Sequence, residues 1–292
     1  LTGSAYGKRL YDLEEGADVR IMSNNVWQCD DNKAAWKDIG EDCSAEVRSK
    51  GLAAVYMAYN PDVICFQEMS VKMIRLIRNE LTKCGFSYKL LSYSSGGDAD
   101  YTCILYREDT VEVVERGYHE FTYGCNGGTK SYTWGYFKHK TTGKTFVALS
   151  THLWWKSDTA QAGSEQMRER QAAEIVAAMD KLIEKYNVPV YVMGDFNART
   201  TASSYKVFTD GGFKDTFDLA TVYAHDHKGR HFCSPEGFSR EESGETYKGQ
   251  AIDHIMLKNG GDTDILTFNH ARPYFYIKLS DHYPVFVDAV LG

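Results

Sequence analysis

The feature that most constrains this chain is a series of short apolar segments, separated by turn residues, that recurs from end to end. Between residues 87 and 151, apolar and polar residues alternate within these segments, as they do in antiparallel strands. Helical periodicity occurs in only a few places. Because strands outnumber helices and many are antiparallel, we predict an α+β or mixed α/β sandwich with helices outside two packed sheets, rather than a doubly wound parallel sheet.

The predicted elements begin with a β-α-β unit. A strand at 19–26 is followed by a helix at 45–59, which Asn60-Pro61 ends, and by a buried apolar strand at 62–67. The spacing of apolar residues predicts further helices at 71–83, 164–186 and 203–210. Alternation or continuous apolar character predicts the remaining strands, at 87–93, 101–106, 111–121, 132–139, 145–151, 188–193, 251–258, 264–270 and 283–290.

Composition predicts a folded protein and restricts its partners. The 292 residues are 43% hydrophobic and 25% charged, with only five prolines, which excludes a disordered chain. Lysine and arginine total 33 against 40 acidic residues, and the net charge of −7 has the wrong sign for coating nucleic acid. A phosphate-bearing partner must therefore be held locally. No stretch reaches the roughly 20 continuous apolar residues of a membrane helix, so we expect no membrane span.

We expect a polar N-terminal leader at residues 1–18, a single domain at 19–292 and a monomer. The first residue is Leu1, which fits a soluble, secreted protein whose signal peptide has been removed as well as a shortened chain, so the compartment stays open. Seven cysteines do not indicate a disulfide framework in a chain of this size. Cys65 and Cys103 lie in apolar runs and are predicted to be buried free thiols.

Polar side chains stand at the ends of otherwise apolar strands, where burial is costly unless they share a site. Each has an ordinary explanation when considered singly. A strand-end Glu is usually solvated, an Asn usually caps a turn, and a lone His usually packs against a carbonyl. The coincidence of eight such positions predicts a common site, made of Asn25, Glu68, His152, Asp195, Asn197, Asp253, Asp281 and His282.

Three of these positions offer oxygen ligands to a hard cation. Glu68 follows the apolar run DVICFQ, and Asn25 offers a neutral carbonyl at the end of RIMSNN. Asp281 is available to the same cation if Asp253 pairs with His282. Since no Cys/His cluster accompanies them, these ligands favour Mg²⁺ or Mn²⁺ over zinc.

The other five positions suit proton transfer and the binding of phosphate oxygens. His152 ends the strand FVALST and can donate a proton to a phosphate oxygen or a leaving group. Asp195 and Asn197 follow VPVYVM and can orient an attacking water, with turn formation as the alternative. Asp253 can hold His282 in one tautomer and stabilise its cation.

Six motifs lie in order between residues 21 and 286: IMSNNVW, DVICFQE, STHLWW, MGDFNA, AIDHIML and SDHYPVF. Together they resemble the endonuclease/exonuclease/phosphatase superfamily, which includes deoxyribonucleases, abasic-site endonucleases, inositol polyphosphate phosphatases, bacterial sphingomyelinases and deadenylase-like enzymes. The resemblance implies a four-layer α/β sandwich of two mixed sheets, with the site at one edge where strand ends meet. It also assigns roles: metal ligands at Asn25, Glu68 and Asp281, and catalytic residues at His152, Asp195, Asn197, Asp253 and His282.

We therefore predict a metal-dependent phosphoesterase that hydrolyses a phosphodiester or phosphomonoester by in-line attack of activated water. The net charge of −7 and the lack of a lysine-arginine stripe favour a small phosphoester, a headgroup or a nucleotide as the substrate. One alternative is a nuclease acting on DNA or RNA, which a locally positive groove would permit. The other is a non-catalytic binding module on the same scaffold.

Aromatic residues near two of the motifs have a structural and a functional interpretation. Trp154 and Trp155 follow His152, and a second aromatic group lies at 274–276. Both suit either core packing or an aromatic rim that stacks a base, a sugar or a headgroup. Arg168, which opens the long helix, suits either a phosphate contact or a solvated helix face.

Two further groups of residues lie outside the eight-residue set. Strand alternation points His254 to the face opposite Asp253, so we expect a packed histidine there. His225, His227 and Cys233 lie in a polar loop and could hold zinc, but their spacing is irregular and a fourth ligand is not evident.

Overall fold

Two six-stranded sheets form the centre of the molecule, within the residues that the computed structural model describes: 12–27, 42, 44–91, 99–123, 130–222, 251–271 and 279–292. The helices are α1 (Ala45–Tyr59), α2 (Val71–Lys83), α3 (Ser164–Tyr186), α4 (Ser203–Asp210) and α5 (Thr216–Leu219), with a 3₁₀ turn at Ala99–Thr102. The strands are β1 (Val19–Asn25), β2 (Val63–Gln67), β3 (Tyr88–Leu91), β4 (Ile104–Arg107), β5 (Val111–Glu120), β6 (Ser131–His139), β7 (Thr145–His152), β8 (Val190–Asp195), β9 (Lys214–Asp215), β10 (Asp253–Lys258), β11 (Asp264–His270) and β12 (Val285–Val290).

Both sheets are mixed and share one plan. The first has the order β11-β12-β1-β2-β4-β3, and the second has the order β5-β6-β7-β8-β10-β9. In each, one central pair is parallel, β1 with β2 and β7 with β8, and every other pairing is antiparallel. A parallel pair places the carboxyl ends of its two strands at the same edge, so each sheet presents two strand ends there.

Three apolar clusters separate four layers. Ile74 of α2 packs with Leu52 of α1 on the outer face of the first sheet. Ile21 and Met193 belong to the cluster between the two sheets. Ile175 of α3 lies in the cluster that covers the outer face of the second sheet. Because β2 and β8 are buried on both faces, their sequences are continuously apolar rather than alternating. The predicted four-layer α+β sandwich is confirmed.

The four long helices occupy the predicted ranges, because each carries a clear apolar stripe or a defined end. The hydroxyl of Ser70, for example, accepts a hydrogen bond from the backbone nitrogen of Met73 and starts α2. The strand predicted at 101–106 is wrong at its beginning, since Tyr101 and Thr102 lie in the 3₁₀ turn. The short elements β9 and α5 escaped prediction because two to four residues carry no measurable periodicity.

Cys65 and Cys103 are buried free thiols, as predicted. Burial also raises the pKa of the Cys65 thiol, which is consistent with an unreactive side chain. Within the described ranges, no helix is both long enough and apolar enough to span a membrane.

Candidate active site

In the first sheet, strand ends bring four candidate residues to one edge of the sandwich. Asn25 ends β1 and pairs with Gln67 of β2, so Glu68 comes directly after that edge. Asp281 and His282 lie in the turn that leads into β12, which is the antiparallel neighbour of β1. The chain therefore enters β12 at the edge where β1 and β2 end.

In the second sheet, three candidate residues lie side by side on neighbouring strands. Asp195 at the end of β8 is in register with His152 of β7 on one side and with Asp253 of β10 on the other. Asn197 follows two residues after Asp195, and its backbone nitrogen donates a hydrogen bond of 2.8 Å to Asp195 Oδ1. Strand register alone therefore brings His152, Asp195 and Asp253 together.

The amide of Asn25 joins the two halves. Its Nδ2 donates to Glu68 Oε1 at 3.1 Å and to Asp195 Oδ2 at 3.0 Å, so carboxylates from both sheets lie around one side chain. Asn25 Oδ1 accepts from the backbone nitrogen of Trp27 at 2.9 Å, and the hydroxyl of Ser280 donates to the Asn25 carbonyl at 2.7 Å. The amide therefore presents its positive end to the two carboxylates.

His282 forms a hydrogen-bonded pair with Asp253. Its Nδ1 lies 2.8 Å from Asp253 Oδ2, and because a carboxylate only accepts, Nδ1 carries the proton. The other ring nitrogen, Nε2, lies 3.8 Å from Asp195 Oδ2 and 3.8 Å from Asp281 Oδ1. In the neutral imidazole, Nε2 holds the lone pair and faces the centre of the site.

His152 is buried beneath the same centre. Its Nε2 lies 2.9 Å from Asn197 Nδ2 and 3.4 Å from Asp195 Oδ2, and its ring stacks on Tyr101 with centroids 5.3 Å apart. Burial lowers the pKa of His152 well below its usual value, and the nearby ammonium of Lys130 lowers it further. The imidazole is therefore neutral at pH 7, which suits hydrogen bonding better than the donation of a full proton.

Lys130 is the site residue that the sequence analysis missed. Its Nζ lies 3.1 Å from His152 Nδ1 and 3.0 Å from the hydroxyl of Tyr101. Burial lowers the pKa of Lys130, while the negative charges of Glu68 and Asp195 act in the opposite direction. Lys130 stands just before β6, and only the register of β6 against β7 brings it to the site; no sequence motif marks it.

Several carboxylates lie close together at this edge, and the pKa values of two of them are raised. Burial raises the pKa of Asp195 well above its ordinary value; His282 opposes that change, and Asp253 and Glu68 add to it. Burial raises the pKa of Asp281 to about 6, and the charge of Glu68 again contributes. The chain thus supplies more negative charge here than its own cations neutralise, which is the environment that a bound cation would relieve.

The side chains present fit a divalent metal ion. Glu68, His152 and Asp195 each place one potential ligand atom within 4.8 Å of the others. Carboxylate oxygens predominate among the nearby groups, as hard cations require. The residues present therefore fit a divalent cation, as the sequence predicts.

The backbone around the site is strained. Among the described residues, only two left-handed residues other than Asn or Gly occur, Trp27 with φ of 51° and Glu68 with φ of 58°, and both lie here. Asn197 adopts a similar conformation with φ of 48°. Gly194 has φ of 151°, and a Cβ there would lie 1.9 Å from the carbonyl oxygen of Thr151, so only glycine fits. These conformations turn the side chains of Glu68 and Asn197 into the site.

A second His–Asp pair lies behind the site rather than in it. His254 is buried on the opposite face of β10 from Asp253, as strand alternation predicts. Its Nδ1 lies 3.6 Å from Asp215 Oδ2, which also accepts a hydrogen bond from the hydroxyl of Tyr205. Its Nε2 lies 2.8 Å from the carbonyl oxygen of Ala198. The pair therefore supports the loop that carries Asn197.

Arg168 adopts neither of the predicted arrangements. It is buried, pairs with Glu165 at 2.6 Å and donates to the carbonyl oxygens of Trp154 and Lys156. Its guanidinium thus stabilises the loop after His152. Two other predicted features, the aromatic group at 274–276 and the zinc candidates His225, His227 and Cys233, lie outside the described residues.

Comparison with known proteins shows what the chain is similar to. A family model described as the Endonuclease/Exonuclease/phosphatase family matches residues 25–282. The 3'-5'-exoribonuclease subunit Ccr4 of the Candida albicans CCR4-Not complex is 21% identical over 209 residues, covering 60% of this chain and 26% of that protein. The chain thus spans about a quarter of the length of that relative.

Solved structures share the fold. An endonuclease/exonuclease/phosphatase from Bacteroides vulgatus superposes with a TM-score of 0.74 and 22% identity, covering 94% of this chain and 99% of that one. A mannosyl-6-phosphatase from Bacteroides thetaiotaomicron superposes with a TM-score of 0.72 and 21% identity, covering 93% and 99%. At these identities the likeness establishes the architecture of the chain.

Proposed function

Because the chain belongs to the endonuclease/exonuclease/phosphatase family, whose members hydrolyse phosphoester bonds, we propose that its site cleaves a small phosphoester by in-line attack of water, with Mg²⁺ or Mn²⁺ bound. The observation that carries this proposal is the meeting of Asn25, Glu68 and Asp195 from two sheets within hydrogen-bonding distance. Carboxylates that raise one another's pKa are unfavourable when buried together, so a purely structural role does not explain this cluster.

Glu68, Asn25 and Asp281 are the residues we propose to hold the metal. When bound, a divalent cation supplies a Lewis acid that neutralises charge developing on the phosphoryl group. Asn25 turns its amide nitrogen toward the carboxylates, and its oxygen accepts from Trp27. For Asn25 to bind a cation, its amide must present the oxygen instead.

Asp195 and the His282–Asp253 pair are the residues we propose for proton transfer. Asp253 fixes the proton of His282 on Nδ1, so Nε2 is the atom that exchanges a proton with water or the leaving group. Asp195 Oδ2 lies 3.8 Å from that nitrogen, close enough for one water molecule or phosphate oxygen to contact both groups.

His152, Asn197 and Lys130 are the residues we propose to bind the phosphate oxygens. The amide of Asn197 and the imidazole of His152 are neutral hydrogen-bonding groups, and Lys130 is the nearby cation. Fixed donors aimed at developing negative charge stabilise the transition state without reorganisation. We also propose that the enzyme is a monomer.

For the substrate we propose a small phosphoester, a headgroup or a nucleotide, because the net charge of −7 opposes long polyanions. The likeness to a mannosyl-6-phosphatase is compatible with a small substrate. The likeness to the Ccr4 exoribonuclease subunit favours a second candidate, a nuclease acting on RNA or DNA. A side-by-side screen of plasmid DNA, RNA, sphingomyelin, inositol phosphates, nucleotides and sugar phosphates decides between the two.

The decisive experiment is hydrolysis of bis-p-nitrophenyl phosphate with Mg²⁺ or Mn²⁺. We expect turnover that EDTA abolishes and that His282→Ala lowers at least about a hundredfold. His119→Ala is the matched control, because His119 is partly exposed on β5 and belongs to none of the groups above. Equal rates for wild type and His282→Ala on every phosphoester would refute the proposal, and no thermal shift with millimolar metal would then favour a non-catalytic binding module.

A further inference from the structure

Trp155 is the most exposed large hydrophobic side chain among the described residues, with 59% of its surface accessible. It stands three residues after His152, and three residues of extended chain span at most roughly 11 Å. Its neighbour Trp154 is buried and accounts for the packing role that the sequence allowed for this pair. The exposed indole therefore belongs to a loop that begins at the candidate active site, and it is not buried in an apolar core.

The loop that carries Trp155 is held from both sides. Arg168 donates to the carbonyl oxygen of Trp154 at 3.0 Å and to that of Lys156 at 2.7 Å. Gln171 accepts from the backbone nitrogen of Trp154 at 2.9 Å. Because the backbone before and after Trp155 is held, the point from which the indole projects is fixed. A tryptophan side chain has only two χ angles to order, so it binds a ligand at a low cost in conformational entropy.

Two aromatic rings and two cations share this rim. Lys156 Nζ lies 5.5 Å from the ring centroid of Trp155, and the guanidinium of Arg170 lies 4.8 Å from the ring of Tyr123, which is also exposed. Gln171 connects the two places, since its Nε2 donates to the carbonyl oxygen of Tyr123 at 3.2 Å. We call Tyr123, Trp155, Lys156 and Arg170 the aromatic rim.

We propose that Trp155 is a specificity-determining residue that stacks against a nucleobase next to the phosphate undergoing hydrolysis. The combination of exposed aromatic rings with cations matches the chemistry of a nucleotide, which carries planar rings and phosphates in alternation. A sugar also stacks on aromatic rings, but its hydroxyl groups call for carboxylates and amides as partners, whereas the aromatic rim carries cations. This inference rests on the proposed phosphoesterase function and narrows its substrate class.

The test compares two substrates that release the same p-nitrophenolate. Thymidine 5′-p-nitrophenyl phosphate carries a base, and methyl p-nitrophenyl phosphate does not. We expect Trp155→Ala to raise KM for the thymidine ester by about 5- to 100-fold, which corresponds to the usual stacking energy, and to leave kcat within about twofold. KM for the methyl ester should not change. Trp155→Phe, which keeps an aromatic ring, should retain most of the affinity.

Val114→Ala is the matched control, because Val114 is similarly exposed but lies on β5. Equal KM changes for both esters would show that the substitution merely disturbs the loop, and would overturn the inference. Hydrolysis of mannose 6-phosphate, measured as released phosphate, provides the sugar comparison. If Trp155→Ala changed KM only for this substrate, the inference would also be overturned, and Trp155 would be a sugar-binding residue instead.

Binding separates this inference from the proposed function. In a His282→Ala background with Mg²⁺, calorimetry with thymidine 5′-monophosphate should show affinity that Trp155→Ala reduces by a similar factor. Such binding without hydrolysis by the wild type would contradict the proposed function and support the stacking site. Hydrolysis of the methyl ester by the wild type, together with nucleotide binding that Trp155→Ala does not change, would support the proposed function and overturn the stacking site.

Discussion

The two edges of the sandwich both bury charged side chains, and they do so in opposite ways. At the edge where β1 begins, Arg20 is almost fully buried, and its guanidinium binds both oxygens of Asp288, at 2.7 and 2.8 Å. The same guanidinium donates to the carbonyl oxygen of Tyr59 at 2.7 Å, and the Arg20 backbone nitrogen donates to Asp62. Arg20 and Asp288 are therefore matched in charge and in hydrogen bonds there.

At the site edge, the match is incomplete. Burial raises the pKa of Asp195 and of Asp281, and neighbouring carboxylates add to the rise, while burial lowers the pKa of Lys130. Removing one partner of a paired buried charge is strongly destabilising, whereas carboxylates crowded together are relieved by a bound cation. We interpret the contrast as a division between buried charges that serve the architecture and those that we propose for a metal and a substrate.

The largest effect is expected at the matched edge. Arg20→Met should lower the free energy of unfolding by about 3–5 kcal/mol, because it leaves Asp288 buried without its partner. Urea denaturation measures this change, and the double variant Arg20→Met/Asp288→Leu should recover much of it. Turnover per folded molecule should stay at the wild-type level. If activity fell by more than the amount of folded protein, Arg20 would affect the site as well as stability, and the distinction between the two edges would be wrong.

At the site edge, the same kind of change should act on activity instead. Asp195→Asn should lower turnover of bis-p-nitrophenyl phosphate at least about a hundredfold, since it removes a group proposed for proton transfer. In EDTA its free energy of unfolding should equal or exceed that of the wild type, because repulsion from Asp253 and Glu68 disappears. Asp210→Asn, on the exposed end of α4, is the control. A large loss of stability would place Asp195 among the architectural charges.

Metal binding should sharpen the contrast. Mg²⁺ at a hundred times its dissociation constant should stabilise the wild type by about 2.7 kcal/mol, and EDTA should remove that gain. Glu68→Gln should lose most of the shift, while Arg20→Met should keep it even though its starting stability is lower. Thermal denaturation with and without metal provides the measurement. If the metal-induced thermal shift persisted in Glu68→Gln, the cation would have to bind somewhere other than this edge.

The smallest effect concerns pH at the matched edge. Burial raises the pKa of Asp62, so the folded state binds its proton more tightly than the unfolded state does. The contribution of Asp62 to stability therefore falls as pH rises from about 4, near the unfolded pKa, through the raised folded pKa. Asp62→Asn should remove this decline, so its stability relative to the wild type should increase from pH 4 to pH 7. An unchanged difference across that range would contradict the assignment.

Much of the fold could be predicted because its signals are local. The helix at 71–83 has one apolar face and a Ser70 cap, and both are visible in the sequence. The strand ends marked by Asn25 and Asp195 could be found because polar residues there interrupt continuous apolar runs.

The partners of those residues depend on strand register, which the sequence does not encode locally. Lys130 follows a glycine-rich turn signal and reaches His152 only through the pairing of β6 with β7. Arg168 reads as a surface or phosphate-binding residue until the loop at 153–156 packs over α3 and uses its donors. Long-range packing, rather than a weak motif, explains why Lys130 was missed and why Arg168 was given the wrong role.

The left-handed backbone at Glu68 has a consequence for evolution in the laboratory. Glycine adopts this conformation without the cost of order 1 kcal/mol or more that glutamate bears, so Glu68→Gly would relieve strain and remove a crowded carboxylate together. Asp195→Asn would relieve crowding in the same way. Selection of variants for heat resistance alone would therefore dismantle this edge first and yield robust, inert proteins, so any such screen must select for turnover at the same time.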